Sequence, residues 1–151
     1  FSWSNITNSR CVYYLCHICI VYYTYMTQVI YTPGVCNIGP AEIARRRTVG
    51  WIGLAVTIAL LALLLIVQAP AILRLVIFLP AFAMAAGFVQ AQMGFCVAFA
   101  QSGVYNLDAV GATQAVTNDG ISKAKDVKHA ATLYVYMVII AVLVTVFAFL
   151  I

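Results

Sequence analysis

Three adjacent cations, Arg45-Arg46-Arg47, stand directly before a stretch that carries no charge from Thr48 to Ala69. About 22 residues, mostly Leu, Ala, Ile and Val, match the roughly 20 that a helix needs to cross about 30 Å of hydrocarbon. Lys and Arg beside a span are retained in the cytoplasm, so the cations also fix which end of that helix stays there. A membrane helix of set orientation is therefore the first constraint, and every other element has to fit around it.

The composition agrees. Of 151 residues, 65% are hydrophobic and 8% charged, with a mean hydropathy of +1.03; soluble domains are about one quarter charged. Only four residues are Asp or Glu. No water-soluble surface can be covered with so few, so lipid has to cover much of it. The net charge of +4 does not point to nucleic acid. The basic residues fall into two small groups beside apolar runs, the distribution of topology signals and anionic-lipid contacts. The expected fold is an all-α integral-membrane helical bundle. A Tyr- and Cys-rich leader occupies residues 1–35, and one membrane domain occupies 36–151.

Three strong spans are expected, at about 48–69, 72–99 and 129–151, plus one marginal N-terminal helix. The marginal one, Cys11 to Tyr31, is uncharged and long enough to cross, but its six tyrosines prefer the interface and His17, Thr24, Thr27 and Gln28 weaken insertion. It reads equally as a helix lying on the surface. The chain begins with Phe, and Met26 is an alternative start. After the break at Thr32-Pro33-Gly34, Pro40 suits a first helical position and Glu42 the positive end of the helix dipole. This helix should run unbroken through the arginines to Ala69-Pro70, with Trp51 at the interface.

The short link to the second span makes an antiparallel hairpin. Arg74 can snorkel to the headgroups, and Pro80 should kink the helix. Ala83, Gly87 and Ala91 recur every four residues, continued by Gly94 and Ala98. Small residues at that spacing let membrane helices approach closely, and the row is expected to pack against other integral-membrane subunits. Gln101 to Gly120 reads as a glycine-punctuated loop. Ser122 is a candidate cap for a start carrying Lys123, Lys125 and Lys128, and the last span follows with no comparable small-residue row. With residues 40–47 and 121–128 cytoplasmic, six of the eight Lys and Arg share one side and the C-terminus lies outside.

Candidate chemistry is sparse. Cys11, Cys16 and Cys19, with Cys36, copy the spacing of an iron–sulfur loop but lack its polar, turning backbone; buried thiols are the expectation, and no metal site is assigned. His17 is a candidate haem or chlorophyll ligand, and Gln90 and Gln92 are candidate quinone contacts, although interhelical hydrogen bonding is the commoner role for such glutamines. No cofactor is expected. Transport needs ionisable groups at mid-depth, and the strong spans lack them. Phosphate-binding loops, paired carboxylates and nucleophile–base sets are also missing, so catalysis is not expected.

The runs Asn37 to Arg47, Gln90 to Cys96 and Gly103 to Asn106 resemble small uncharacterised bacterial inner-membrane proteins. The likeness covers about residues 36–151 and excludes the leader. It implies a bacterial plasma membrane and transfers no functional residue. The resulting expectation is a non-catalytic accessory or structural subunit of a larger membrane complex, of the respiratory or photosynthetic electron-transport kind. Its alternatives are a cofactor- or quinone-contacting subunit and an independent small transporter.

Overall fold

The computed structural model describes residues 31–116 and 120–151. His17, Cys11, Cys16, Cys19 and nearly all of the marginal first span lie outside them. Among the described residues, three helical segments are long and apolar enough to cross a membrane, Pro40–Ile66, Ala71–Met93 and Gly120–Leu150. The chain is thus a helical bundle that fits a multi-pass membrane protein.

Helix α1 (Pro40–Ile66) starts with Pro40 at its first position and Glu42 in its first turn. It runs through the three arginines as one helix. At about 1.5 Å per residue its 27 residues reach ~40 Å, so the arginine end projects beyond a ~30 Å core. It stops at Ile66, short of Ala69. Gln68 takes a left-handed φ of +50°, and the amides of Gln68 and Ala69 donate to the carbonyls of Leu65 and Leu64. This is the bonding of a Schellman close, with Gln where glycine is usual.

The second span is not the single helix expected over 72–99. Residues Ala71–Ile77 form a 3-10 segment, and α2 (Phe78–Met93) begins only there. Pro80 then falls in the first turn of α2, which follows the 3-10 segment without a break. The helix type changes at Ile77, three residues before Pro80. At the other end Gly94, with φ +60°, closes α2, and a short α3 (Val97–Ser102) follows. Arg74 sits at this hairpin end and donates to the Ala69 carbonyl at 3.4 Å.

The small-residue row is correspondingly shorter and turned inward. Gly87 and Ala91 are buried, Gly94 is the helix cap, and Ala98 is exposed on α3. Gly87 packs within the chain: a Cβ there would overlap the Gly50 backbone nitrogen. Gly50, Gly53 and Thr57 are the buried face of α1, and a Cβ on Gly53 would lie 2.5 Å from the Met84 amide nitrogen. The partner of Gly87 is thus α1 of the same chain.

Between α3 and the last helix, Val104–Tyr105 (β1) pairs antiparallel with Gln114–Ala115 (β2), where a plain loop was expected. Helix α4 (Gly120–Leu150) has 31 residues, about 46 Å in length. Ser122 is buried within its first turn, not a cap in front of it. A narrow stripe of α4 is buried: Ser122, Asp126, Ala130, Leu133, Met137, Ala141, Thr145 and Ala148. Steps of four and three keep it on one helical face, and several of its members are small without forming a row of the length seen in α2. Ala130, Leu133 and Met137 pack on Ala85, Phe95 and Ala100; Ala141 and Ala148 pack on Ile77 and Ala81. Thr57 and Thr145 satisfy their hydroxyls on the carbonyls of Gly53 and Ala141, both at 2.7 Å, so neither polar group is left bare in the seam.

Candidate functional site: a buried polar knot and an adjoining groove

Non-helical backbone near a bilayer needs partners for every amide and carbonyl. Among the described residues, three such segments, 31–39, 94–96 and 103–116, meet at the cationic end of the bundle. Asn37 sits at their centre. Its side-chain amide donates to the Cys96 carbonyl at 3.0 Å, and its side-chain oxygen accepts from the Cys96 amide at 2.6 Å. The side chain thereby does the work of a neighbouring strand. The backbone amides of Asn37 and Ile38 both donate to the Gly94 carbonyl. Asn106 closes the other side: its amide donates to the Asn37 carbonyl, and its own carbonyl accepts from Gly39 at 2.7 Å. A Cβ on Gly39 would collide with the Leu107 carbonyl, so only glycine admits this crossing.

Two carboxylates are enclosed beside these segments. Glu42, 1% exposed, accepts from the Asn106 side chain at 3.4 Å and faces Arg45 and Arg46 at 3.8 and 3.9 Å. Among the described residues its Oε2 accepts no hydrogen bond. Arg46 donates instead to the buried Cys96 sulfur at 3.0 Å and lies over the Phe99 ring. Asp126, fully buried in α4, accepts from the Gly34 amide at 2.6 Å and the Tyr31 hydroxyl at 2.7 Å. The turn that supplies Gly34 has Pro33 second and Gly34 third with φ +75°, and Val35 donates back to the Thr32 carbonyl. That is a type II turn, in which glycine is required at the third place. Tyr31 stacks on Tyr105 at 4.5 Å. Residues 31–39 thereby strap the start of α1 to α4 and to β1.

The two candidate glutamines separate. Gln90 is buried; its amide meets the Met137 sulfur at 3.8 Å, and its oxygen faces the Val97 amide at 3.4 Å. Gln92 is exposed and lines a groove of about 490 Å³ with Arg47, Phe88, Tyr136, Ile139 and Ile140. Arg45, Arg46 and Arg47 share one end of the bundle with Lys123, Lys125 and Lys128, since Gly34 packs on Lys125 and Gly103 near Lys123. His129 is half-buried edge-on to Phe95, 4.7 Å between centroids.

No family model, curated protein or solved structure matches this chain. What the site can do therefore rests on its geometry. Among the described residues, the Cys96 sulfur has the Arg46 guanidinium beside it and no imidazole or carboxylate hydrogen-bonded to it. Among the described residues no three His, Cys, Asp or Glu side chains are grouped to hold a metal. The knot binds the chain to itself. Asn37, Asn106, Glu42 and Asp126 were missed as a constellation in the sequence. The available signal was that two of only four acids border apolar spans.

Proposed function

We propose that this chain is a non-catalytic accessory subunit of a larger integral-membrane complex, holding its neighbours through lipid-facing helix surfaces. One observation carries the reading. The spanning windows of the three helices bury only 17%, 22% and 28% of their residues inside the chain. Most of each helix is thus presented outward, while nearly all the buried polar groups are committed to internal bonds. A large apolar exterior without a charged path suits a scaffold better than a transporter. Sharing of one end by the two basic clusters supports placing residues 40–47 and 121–128 in the cytoplasm. Energy-transducing complexes of the respiratory or photosynthetic kind, in a bacterial plasma membrane, are the proposed hosts. That step is by association with where small helical subunits are common.

The test is purification in gentle detergent followed by size exclusion and mass spectrometry. Stoichiometric integral-membrane partners that carry a redox or proton-translocating activity are expected. A chain that elutes alone at native expression, with the membrane's complexes intact in its absence, refutes the proposal.

A further inference from the structure

The groove beside Gln92 combines an uncommitted cation with an apolar trough. Arg45 and Arg46 both face Glu42, whereas Arg47 is exposed and faces no carboxylate among the described residues. Phe88 of α2 and Ile139 and Ile140 of α4 form the walls, and Gln92 and Tyr136 add neutral hydrogen-bonding groups. Arg47 lies one turn before Trp51, whose indole is 59% exposed, as expected of a side chain at headgroup depth. The volume, about 490 Å³, is within the roughly 300–1,000 Å³ usual for small-ligand sites.

We infer that this groove seats one acyl chain of an anionic phospholipid of the surrounding bilayer, with the lipid phosphate on the Arg47 guanidinium. Charge decides the occupant. Arg47 shares its end of the bundle with Arg45, Arg46 and three lysines, and two buried acids do not offset them. A zwitterionic headgroup would bring its own ammonium into that field; a phosphatidylglycerol brings only the negative charge. The guanidinium fork matches phosphate oxygens in two-point geometry, and the walls match a methylene chain. The inference needs only that the chain lies in a bilayer, so it survives if the proposed host complex does not.

Trp51 offers a direct readout. It meets Phe88 edge-on at 5.2 Å between centroids, and Phe88 lines the groove. The chain has two tryptophans, so Trp3→Phe leaves Trp51 as the sole emitter. The full chain is reconstituted in phosphatidylcholine vesicles containing increasing fractions of brominated phosphatidylglycerol or brominated phosphatidylcholine. Quenching should show about a five-fold preference for the anionic lipid, as ~1 kcal/mol per basic residue implies. Arg47→Gln should bring that ratio close to one, while Lys123→Gln, which removes an equal charge from the same end, should leave it. Circular dichroism confirms that both variants, each at an exposed position, keep their helices. Equal quenching by the two lipids overturns the inference, as does an equal fall in both variants, which would report general surface potential. Saturable quenching by one equivalent of an isoprenoid benzoquinone, unaffected by lipid charge, would assign the groove to a quinone instead.

Discussion

Replacing Gly87 with alanine adds one methyl at the place where two helices touch through their backbones. The new Cβ would fall 2.5 Å from the Gly50 Cα and 2.7 Å from the Arg46 carbonyl oxygen. Non-bonded carbons rest about 3.5–4.0 Å apart, so α1 and α2 would have to part by about 1 Å, and a gap of that size forfeits about a quarter to a half of the dispersion well at each contact it opens. Overpacking of this kind costs about 1–3 kcal/mol. Both obstacles are backbone, which places Gly87 at the upper end. Alanine recovers ~1 kcal/mol of helix propensity, leaving a net loss of about 2 kcal/mol.

Other glycines supply the internal scale. Gly53→Ala, with the Met84 amide nitrogen at 2.5 Å, should cost as much. Gly50→Ala should cost less, because the nearest obstacle is the Phe88 ring at 2.8 Å, part of a side chain that can turn. Gly120→Ala meets nothing within 4 Å and should be near neutral. Reversible unfolding in mixed detergent micelles, followed by Trp51 emission and circular dichroism, ranks the four. A Gly87→Ala protein as stable as Gly120→Ala refutes the packing argument. The order also separates an intramolecular role for Gly87 from a contact with another subunit, which would leave the isolated chain's stability unchanged.

Three further outcomes are expected in the same unfolding assay. Asn37→Ala leaves the buried amide of Cys96 unpaired, while the Cys96 carbonyl keeps the Ala100 amide; at about 1–3 kcal/mol for an orphaned group, it should lose roughly 1–3 kcal/mol, and a loss under ~0.5 kcal/mol would contradict the knot. Asp126→Asn replaces one acceptor oxygen by a donor facing either the Gly34 amide or the Tyr31 hydroxyl, so it should cost about 1–3 kcal/mol. Combined with Tyr31→Phe, its effect should fall short of the sum, since the two residues share a bond. Gln68→Gly removes a side chain from a left-handed position that disfavours one by about 1–2 kcal/mol. Even after the entropy glycine adds to the unfolded chain, the variant should be the more stable; a destabilised one would refute the reading of the α1 close.

The spans were legible because bilayer thickness translates directly into length and hydropathy, and lipid imposes that requirement residue by residue. Arg45 to Arg47 ahead of Thr48, and Pro40 with Glu42 at a helix start, are local signals of this kind. The end of α2 was not legible in the same way. Gly94 to Cys96 lies in an apolar stretch that hydropathy passes over. Gly94 closes the helix, but the break after it is held by a residue 59 positions before Cys96, Asn37, whose side chain bonds the Cys96 backbone. The small residues of α4 were overlooked for another reason. Ala130, Ala141, Thr145 and Ala148 follow a helical stripe in which Leu133 and Met137 intervene, so no unbroken row of small residues advertises it. In α1, Gly50, Gly53 and Thr57 recur at steps of three and four and were equally open to that reading.

The three runs that prompted a family resemblance, around Asn37 to Arg47, Gln90 to Cys96 and Gly103 to Asn106, are far apart in the chain but touch in the knot. The contact has a physical cause. Once α2 stops at Gly94, the Gly94 carbonyl and the Cys96 amide need partners that lipid cannot give. Asn37 and Ile38 provide them only if Gly39 lets the chain cross Leu107, and Asn106 then fixes that crossing from the other side. Each run is therefore a condition for the other two. A change at Asn37 should be felt first at the α3 break and its docking on α4, and less in α1, whose first turn takes from the segment before it the Gly39 carbonyl as acceptor for the Ile43 amide.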